Sequence, residues 1–528
     1  MQKILISILL FWLFILKVQS QRNVILIIAD DLGVDYCGFY ERGLDTVPMP
    51  NIRKMLARGV RFNNAWSNPL CSPTRAGMLT GRYSFRTGVG NAVGGAGSAV
   101  LDTAEITIPK LLKQYKPGGI ATANIGKWHL SNAMPISNLK IPNDIGYDHF
   151  EGGFTGILSS YTDWSKITNG VSTNITTYAT TETVNNATSW IRTVKDKPFF
   201  LWLAFNAPHT PYHLPPAALH SYNTLSGTQV NINNNPVPYF KASVEAMDTE
   251  IGRLFDSLQA NNLWNNTDII FIGDNGDENG ISQSQSNAKG SIYQGGVHVP
   301  FIISGPSVVN PGRISNALVN THDLFATILE LFGHLDWKTS IPASKPVDSK
   351  SLIPIIKNQS TDIRDWVFTE VFRIPAGSAD GKTMRNKDYK LLDFDNGTQK
   401  FYHITSDPDE KVDLLTGNLN SIQQENYQYL CTEMTELVGI NRFCQLDGTS
   451  SVSHEAKKKE VIFPNPFKDI INIDSDIDFQ SIKIYNQTGL LIYTSDRNTQ
   501  IDLSFLAKGI YLFVLEGEIT KIHQVTKL

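Results

Sequence analysis

Asn23–Ala29 (NVILIIA) is a run of mostly β-branched apolar residues that ends abruptly at Asp30-Asp31. Such a run is typical of a strand buried on both faces of a mostly parallel sheet. In α/β sheets of this kind, ligands bind in the crevice at the carboxyl ends of the strands. Two adjacent carboxylates would repel each other there and be costly to bury, so a cation is their natural partner. An aspartate at this point can also simply cap the following turn or helix.

A second run of the same kind lies far downstream. Thr267–Gly273 (TDIIFIG) predicts another buried strand, and it ends at Asp274-Asn275-Gly276. Carboxylate and amide oxygens suit calcium or magnesium, whereas zinc favours histidine and cysteine ligands. Two strand ends could therefore share one hard cation, although Asn-Gly is also a common turn dipeptide.

Composition and charge narrow the class of protein. The chain has 528 residues, of which 41% are hydrophobic and 18% charged, and its formal net charge is −4. This length suits about three or four domains, or one large α/β domain with appendages. Without an overall basic charge we expect no nucleic-acid partner. The 4 cysteines include no C-x-x-C pair, which argues against a zinc ribbon or a thioredoxin-type site.

Residues 1–20 have the pattern of a secretory signal peptide. Lys3 precedes an apolar run from Ile4 to Leu16, and small residues follow near Ser20. The run is too short to span a bilayer, which needs about 20 apolar residues. No later segment is long and apolar enough to do so. We therefore expect export, a mature chain beginning near Gln21, and no transmembrane segment.

The segment from Cys71 to Arg82 (CSPTRAGMLTGR) predicts a short helix. Ser72 is a favourable N-cap, proline suits the first helical position, and Gly81 suits the position that ends the helix. Cys71 would then lie just outside a helix N-terminus, where free N–H groups favour anions. Arg75 would add a forked donor for a tetrahedral oxyanion. An isolated cysteine in this place can be either a nucleophile or a packed thiol.

The same segment resembles the signature of the type I sulfatases, C-x-P-x-R followed after three residues by L-T-G-R. In that family a maturation enzyme oxidises the cysteine to Cα-formylglycine, so the resemblance implies this conversion at Cys71. The family belongs to the alkaline phosphatase superfamily, and the similarity extends from residue 22 to about residue 415. It implies an α/β fold with a large mostly parallel or mixed sheet flanked by helices, followed by a smaller antiparallel α+β subdomain.

Three further segments match motifs of this family in the same order: Gly126–Leu130 (GKWHL), Phe205–Pro211 (FNAPHTP) and Lys289–Pro300 (KGSIYQGGVHVP). The resemblance implies calcium, with magnesium as the alternative, on four ligands that formylglycine at position 71 would supplement: Asp30, Asp31, Asp274 and Asn275. It also implies six catalytic side chains: Cys71, Arg75, Lys127, His129, His209 and Lys289. Taken singly, each histidine or lysine could equally be a hydrogen-bonded loop residue or a solvated charge.

The family's chemistry gives these side chains different tasks. Arg75 and Lys127 would steady the nucleophile and the sulfate, and His129 would assist expulsion of sulfate. His209 and Lys289 would contact the sulfate and the bridging oxygen, with His209 as the general acid. One departure is His298, which stands where many relatives have arginine. It puts in doubt any ion pair or substrate contact that this arginine makes.

The other segments of the catalytic region predict structural elements without catalytic residues. Tyr239–Ala260 and Thr321–Phe332 have apolar spacing typical of helices packed on a sheet. Short strand-like runs from about Asp365 resemble the family's C-terminal subdomain. Ser159–Asn186 and Ile281–Ala288 are polar and predict loops that could contact a sugar, although solvated loops look the same. Cys431 and Cys444 could form a disulfide in an exported protein.

The C-terminal end has a different pattern. Thr449–Glu460 has the composition of a linker, and Val461–Leu528 shows short alternating runs separated by turn residues, which predict a small antiparallel β-sandwich. Phe463–Pro466 (FPNP), Tyr485–Gly489 (YNQTG) and Lys508–Tyr511 (KGIY) resemble the C-terminal sorting domain of the type IX secretion system. A carbohydrate-binding β-domain is the alternative, but no clustered aromatics support it.

We therefore divide the chain into five parts: a signal peptide (1–20), a catalytic α/β domain (21–360), its C-terminal subdomain (361–447), a linker (448–460) and a sorting domain (461–528). The resemblance implies an exported sulfatase that acts on a sulfated carbohydrate and reaches the cell surface or the medium. Its partners would be the glycan, the maturation enzyme and the type IX machinery. A formylglycine-dependent phosphonate or phosphodiester hydrolase and an inactive glycan-binding protein are the alternatives.

Overall fold

The computed structural model describes residues 22–94, 99–283, 287–373, 376–439, 462–463, 467–473, 479–486, 490–517 and 521–527. The predicted signal peptide, the linker and Cys444 lie outside the described residues, and so do residues 464–466 and 487–489, which belong to the first two sorting motifs. The disulfide to Cys431 therefore stays a prediction. The chain divides into two compact units, Met1–Gln445 and Leu446–Leu528.

Strands and helices alternate through most of the first unit. The strands are β1 (Asn23–Ala29), β2 (Gly59–Trp66), β3 (Ala121–Gly126), β4 (His149–Gly152), β5 (Trp164–Thr168), β6 (Val171–Ile175), β7 (Phe199–Ala204), β8 (Thr267–Gly273), β9 (Phe301–Ser304), β10 (Arg313–Asn320), β11 (Val367–Val371), β12 (Gly381–Arg385), β13 (Tyr389–Phe394) and β14 (Gln399–His403). The helices are α1 (Pro50–Ala57), α2 (Cys71–Thr80), α3 (Ser84–Thr87), α4 (Ile108–Tyr115), α5 (Ile141–Asp144), α6 (Ala179–Val194), α7 (Gln229–Asn234), α8 (Pro236–Ala260), α9 (Gln294–Val297), α10 (Leu324–Leu331), α11 (Ile353–Ile356) and α12 (Ser421–Val438). Short 3₁₀ helices cover Ile136–Lys140, Ala217–Leu219, Trp264–Asn266, Thr321–Asp323, Trp337–Ser340 and Leu414–Thr416.

A ten-stranded mixed sheet organises this unit, in the order β10-β2-β9-β8-β1-β7-β3-β4-β5-β6. Its centre is parallel, because β1 pairs in parallel with both β7 and β8, and β3 pairs in parallel with β7. Apolar side chains cover both faces: α2, α4 and α10 pack on one face, and α1, α6 and α8 on the other. The predicted α/β class, with helices flanking a large mixed sheet, is confirmed.

The predicted covering helix over Thr321–Phe332 is present: a 3₁₀ turn, Thr321–Asp323, leads directly into α10, and Asn320 and Asp323 cap each other at its start. One predicted detail is wrong. The polar stretch Ser159–Asn186 is not a plain loop, since it forms the β5–β6 hairpin and the first half of α6. Its polar composition reflects an edge hairpin in which β5 is partly buried and β6 is almost wholly exposed.

The C-terminal part of this unit is the predicted antiparallel subdomain. Strands β11–β14 form a four-stranded antiparallel sheet in sequence order. Helix α12 packs on it through Tyr427, Leu430 and Met434, which contact apolar residues of the sheet. The second unit holds β15 (Ile462–Phe463), β16 (Ile470–Ile473), β17 (Ser481–Asn486), β18 (Leu491–Asp496), β19 (Gln500–Asp502), β20 (Gly509–Glu516) and β21 (Lys521–Lys527), paired in one three-stranded and one four-stranded antiparallel sheet around an apolar core.

Glu370 on β11 makes the stability of this fold depend on pH. Its Oε1 accepts a hydrogen bond from the Phe85 N–H at 2.7 Å, whereas Oε2 is buried without a partner among the described residues. Burial raises the pKa of Glu370 from 4.5 to about 7, with Lys382 opposing the shift. Between these pH values the folded state binds the proton more tightly than the unfolded chain, so this carboxyl destabilises the fold increasingly as pH rises.

We expect Glu370→Gln to raise the free energy of unfolding above pH 7 by up to about 3 kcal/mol and to change it little near pH 5. The amide stays neutral and keeps the acceptor for Phe85. Urea denaturation of both proteins at pH about 5 and about 8 measures the difference. Glu425→Gln, at an exposed position of α12, serves as the control. An effect of Glu370→Gln that is equal at the two pH values would contradict this prediction.

Candidate active site

Two strand ends bring four oxygen-bearing side chains together. Strands β1 and β8 are parallel neighbours, and Ala29 pairs with Gly273 at their carboxyl ends. The residues that follow, Asp30-Asp31 and Asp274-Asn275, therefore meet at one edge of the sheet and are at most 1% exposed. Asp31 adopts a left-handed backbone conformation, with φ of 64°. In this conformation its N–H donates to Asp274 Oδ1 at 3.1 Å.

These side chains have the chemistry of a hard-cation site. One carboxylate oxygen from each of Asp30, Asp31 and Asp274 lies within 4.8 Å of the others. Asn275 Nδ2 donates to Asp31 Oδ1 at 2.8 Å, which leaves Asn275 Oδ1 for another partner. Asn275 Oδ1 and Asp30 Oδ1 are both buried, and neither accepts a hydrogen bond from any described residue. Buried oxygens without donors are costly, and a calcium or magnesium ion would satisfy them.

Each of the three carboxylates also has a cationic partner. Arg75 Nε and Nη2 donate to Asp274 Oδ2 at 3.0 and 2.7 Å. Lys127 Nζ donates to Asp30 Oδ2 at 2.5 Å, and Lys289 Nζ donates to Asp31 Oδ2 at 2.6 Å. The cluster therefore combines converging oxygens with a surrounding ring of positive charge, which is an arrangement that suits a bound anion.

Burial and these partners shift the two neighbouring aspartates in opposite directions. Burial raises the pKa of Asp30 well above its ordinary value, with Lys127 opposing and Asp274 adding to the shift. Burial would also raise the pKa of Asp31, but His209 and Lys289 outweigh it and hold that pKa below its usual range. A divalent cation would offset the cost of burying the Asp30 carboxylate.

Cys71 lies beside this cluster, and the helix that carries it begins two residues earlier than predicted. Cys71 is the first residue of α2 and not the residue before the N-cap, because the N-cap is Leu70. The predicted N-cap, Ser72, instead donates from Oγ to the His129 carbonyl at 2.7 Å and accepts from the Val93 N–H at 3.0 Å. The hydroxyl joins segments distant in the chain, a use that local propensity does not reveal. Gly81 ends the helix at φ of 71°, as predicted.

His129 is the close partner of Cys71. Its Nδ1 lies 3.1 Å from Cys71 Sγ, and its Nε2 lies 2.9 Å from the Val93 carbonyl oxygen. Because a carbonyl can only accept, Nε2 carries the proton in the neutral ring and Nδ1 is the free base. Burial, followed by Lys127, lowers the pKa of His129 to about 3, which keeps the ring neutral. The structure thus gives position 71 a proton acceptor.

Gly126 permits the backbone of this segment to pass close to β7. It has φ of 102°, and a Cβ there would lie 1.8 Å from the Ala204 carbonyl oxygen. Only glycine fits that approach. It allows Lys127 and His129, which follow directly, to reach the strand ends.

His209 and Lys289 form the opposite wall. His209 Nε2 lies 3.1 Å from Lys289 Nζ and 3.5 Å from Asp31 Oδ2. His209 Nδ1 lies 2.8 Å from the Thr210 carbonyl oxygen, so Nδ1 holds the proton and Nε2 accepts from lysine. Burial lowers the pKa of His209 to about 4, and Asp31 opposes that shift. Asp31 keeps Lys289 protonated by raising its pKa against the effect of burial.

Two residues that shape this wall, Glu278 and Tyr161, were not predicted from the sequence. Glu278 Oε2 lies 2.9 Å from Lys289 Nζ, and its carboxyl also lies beside Asp31. Its place four residues after Asp274 in an acidic stretch was the available signal. Tyr161 donates from its hydroxyl to the carbonyls of Asn206 and His209, at 2.5 and 2.8 Å, and so fixes the histidine loop. No local pattern indicated Tyr161.

The chain is similar to known protein families over most of its length. Residues 22–334 match the model of the sulfatase family, and residues 287–438 match the C-terminal region of N-sulphoglucosamine sulphohydrolase. Residues 461–527 match the secretion system C-terminal sorting domain, which confirms the prediction of a type IX sorting domain.

Curated relatives agree with this family. Arylsulfatase J of Mus musculus is 27% identical over 337 residues, which are 59% of this chain and 52% of the mouse protein. The chain thus spans about half the length of that relative. The arylsulfatase of Klebsiella aerogenes is 25% identical over 437 residues, which cover 64% of this chain and 91% of the bacterial enzyme. N-acetylgalactosamine-6-sulfatase of Homo sapiens is 28% identical, covering 63% of this chain and 65% of the human enzyme.

Solved structures share the fold. The crystal structure of Ps i-CgsB is 26% identical and superposes with a TM-score of 0.66, covering 79% of this chain and 92% of that one. The phosphonate monoester hydrolase of Agrobacterium radiobacter, at 16% identity and a TM-score of 0.57, shares the fold alone. Since the sulfatase model matches more than half of the residues and the fold agrees, the chain belongs to the sulfatase family, whose members are sulfuric ester hydrolases.

Proposed function

We propose that this protein hydrolyses sulfate esters of a sulfated carbohydrate, with formylglycine at position 71 as the nucleophile and a calcium ion as cofactor. The observation that carries the proposal is the contact of Cys71 Sγ with the free base His129 Nδ1 at 3.1 Å. This pair of residues lies beside three buried carboxylates, and one oxygen from each carboxylate lies within 4.8 Å of the others. A thiol packed for stability alone would need neither neighbour.

Asp30, Asp31, Asp274 and Asn275 would hold the cation, with magnesium as the alternative to calcium. When bound, the cation supplies positive charge that offsets the sulfate oxygens and favours the ionised form of the attacking hydroxyl. Asp30 Oδ1 and Asn275 Oδ1 support this assignment, because neither accepts a hydrogen bond from the described residues, and Arg75 Nη2 lies 3.5 Å from Asp30 Oδ1 without donating to it. Arg75, which reaches Asp274, and Lys127, which reaches Asp30, steady the nucleophile and the bound anion.

The proposed reaction uses both hydroxyls of the formylglycine hydrate. One hydroxyl oxygen attacks sulfur, the sulfur–oxygen ester bond breaks, and the alcohol departs with a proton. His129 Nδ1 then takes the proton of the second hydroxyl. The carbon–oxygen bond to sulfate breaks as the aldehyde reforms, so water need not attack sulfur. The neutral state of His129 suits it to that task.

The departing alcohol receives its proton on the opposite wall. Lys289 is held protonated by Asp31 and touches His209 Nε2 at 3.1 Å. His209 is neutral in the free protein because burial lowers its pKa to about 4. A bound sulfate ester would add negative charge and favour protonation of His209, after which His209 can act as the general acid.

A sulfated carbohydrate is the substrate class that the relatives support. The human relative is named N-acetylgalactosamine-6-sulfatase, and Ps i-CgsB has been crystallised with k-i-k-neocarrahexaose. The sorting domain indicates export, and we propose that the protein acts at the cell surface or in the medium, where such glycans occur. Of the helices that the described residues form, none combines the length and apolar character that crossing a membrane requires.

Paired aryl substrates test the reaction class. We expect the mature protein to hydrolyse an aryl sulfate with a kcat/KM at least about 100-fold above that for the matching aryl phosphodiester. Both substrates carry one negative charge, but the sulfate ester presents three free oxygens to the cation and the surrounding basic side chains, whereas the phosphodiester has a second ester group in place of one of them. Release of sulfate from a panel of defined sulfated oligosaccharides would then identify the sugar. A preference for the phosphodiester would support the phosphodiesterase alternative, and binding of the oligosaccharides without sulfate release would support a glycan-binding protein.

A further inference from the structure

A polar cavity lies apart from the proposed catalytic residues. It has a volume of about 920 Å³ and lies against β2 and the edge strand β10. Residues 40–42 and two segments of the C-terminal subdomain, 385–388 and 404–408, supply further lining residues. The ten predicted site residues are absent from its lining. We name it the arginine groove, after its lining residues Arg42, Arg61, Arg313 and Arg385.

Arg61 is the unusual member of the groove. It is half-buried on β2, and its guanidinium lies over the Tyr40 ring at 5.0 Å from the centroid. Within the part of the chain that the structure describes, this guanidinium makes no hydrogen bond and no ion pair, and its Nε is buried without an acceptor. A guanidinium offers five N–H donors in a planar fork that matches an oxyanion. An anion in the groove would satisfy these donors.

Charged residues that neighbour Arg61 also favour the binding of an anion. Arg313 donates to the Ile355 carbonyl, and Arg385, which is 4% exposed, donates to the carbonyls of Asn386 and Lys387. Carbonyl acceptors satisfy the donors but leave the positive charge in place. Lys387 pairs with Asp362 and Arg42 with Asp409, so these two are compensated. Two further carboxylates, Glu41 and Asp388, also line the groove, and Asp388 and Glu410 act on the charge of Arg385. The five basic residues of the lining thus exceed its three acidic residues and Asp409 by one positive charge, and the Arg61 guanidinium makes no ion pair among the described residues.

The rest of the lining can bind hydroxyl groups. Asn63, Asn64, Gln294 and Asn316 contribute amides. Asn63 Nδ2 donates to Asn316 Oδ1, Asn64 Nδ2 donates to the Asn316 carbonyl, and Gln294 Oε1 accepts from Trp66, so the amide oxygens of Asn63 and Asn64 and the amide nitrogens of Gln294 and Asn316 remain for sugar hydroxyls. His298, the position that departs from the family, contacts the Asn63 carbonyl through Nε2 at 2.7 Å, while its Nδ1 is buried without a donor in the described structure. Guanidinium groups beside many amides fit an anionic sugar chain better than a bare ion. A cavity of this volume is also large for a single sulfate.

We propose that the arginine groove binds a sulfate or carboxylate group of an anionic polysaccharide, at a distance along the glycan from the ester that is hydrolysed. The proposal rests on the proposed function only in taking the ligand to be part of the same glycan. Arg61 would be the principal anion contact, with the amides contacting sugar hydroxyls. The groove would then select highly charged chains over small sulfate esters.

Binding of dextran sulfate to the full-length Cys71→Ala protein tests this proposal by calorimetry, because no turnover can occur there. We expect Arg61→Gln to raise the Kd for dextran sulfate by about tenfold or more, since a charge-assisted contact is lost. Arg192→Gln, at an exposed position of α6, removes the same charge elsewhere and should leave the Kd unchanged. Neutral dextran should not bind, and polygalacturonate distinguishes a carboxylate ligand from a sulfate ligand.

Asn316→Asp gives a second variant that places a negative charge in the groove at an exposed residue, so folding is preserved. It should weaken dextran sulfate binding as well. Equal Kd values for the parent, Arg61→Gln and Asn316→Asp would overturn the proposal, and so would inorganic sulfate that displaced the polymer at equal molar concentration of sulfate groups. Because these measurements need no catalysis, they succeed or fail independently of the aryl sulfate assay.

Discussion

Replacing Cys71 with alanine is expected to abolish sulfate ester hydrolysis, with kcat lowered by at least about 10⁴-fold. The alanine cannot be oxidised to an aldehyde and offers no nucleophile to sulfur. The site should otherwise stay intact, because Cys71 is 2% exposed and alanine fills most of its volume at the start of α2. Steady-state hydrolysis of an aryl sulfate measures the loss, and the thermal unfolding midpoint checks the fold.

Two companion variants make this prediction specific. Cys37→Ala removes another buried thiol, whose Sγ lies 3.6 Å from the Gly33 carbonyl oxygen, and it should retain turnover. Cys71→Ser should also lose turnover, because a sulfate ester on a plain alcohol has no second hydroxyl to expel it. Full turnover by the Cys71→Ala protein would exclude a covalent role for this residue.

Removal of the divalent cation is expected to lower turnover by at least about 10³-fold, and calcium should restore it. The argument rests on the converging oxygens of Asp30, Asp31 and Asp274 and on the unpartnered amide oxygen of Asn275. Without a cation, the counter-charges of the buried carboxylates come from Arg75, Lys127 and Lys289. Assay after chelation, with calcium or magnesium added back, identifies the ion.

The free energy of unfolding tests the same cation site without an activity assay. Calcium at about 100 times its Kd should raise the free energy of unfolding by about 2.7 kcal/mol. Asn275→Ala should remove most of this gain. Asp268→Asn is the matched control, since Asp268 is a buried carboxylate of the same strand, β8, that bonds to Ser307. The Asp268→Asn protein should keep the calcium-dependent gain in stability. A gain that persists in Asn275→Ala but is lost in Asp268→Asn would contradict the assignment.

Much of the central sheet could be predicted because its strands have a strong local pattern. The bounds predicted for β1 and β8 coincide with the structure, since each is a buried run closed by polar residues. The strand ends then locate Asp30 and Asp274, because parallel neighbours end at one edge. Pairing of two runs separated by more than 200 residues still had to be inferred from the family resemblance.

The remaining features depend on contacts between distant segments. Ser72 has the local properties of an N-cap, yet its hydroxyl bonds to His129 and Val93, and the helix begins two residues earlier, with Leu70 as the N-cap. Tyr161 reaches the His209 loop from 48 residues away. The arginine groove joins strand β2 to the C-terminal subdomain, and nothing near Arg61 in the sequence indicates that its guanidinium lacks an acceptor.

The account depends most on the chemical state of residue 71, and mass spectrometry of the peptide that contains it is the most direct test. The peptide should be taken from active protein secreted by a host that has the maturation enzyme. We predict the mass of formylglycine at position 71 and reaction of that peptide with a hydrazide. An unmodified cysteine in fully active protein would contradict the account.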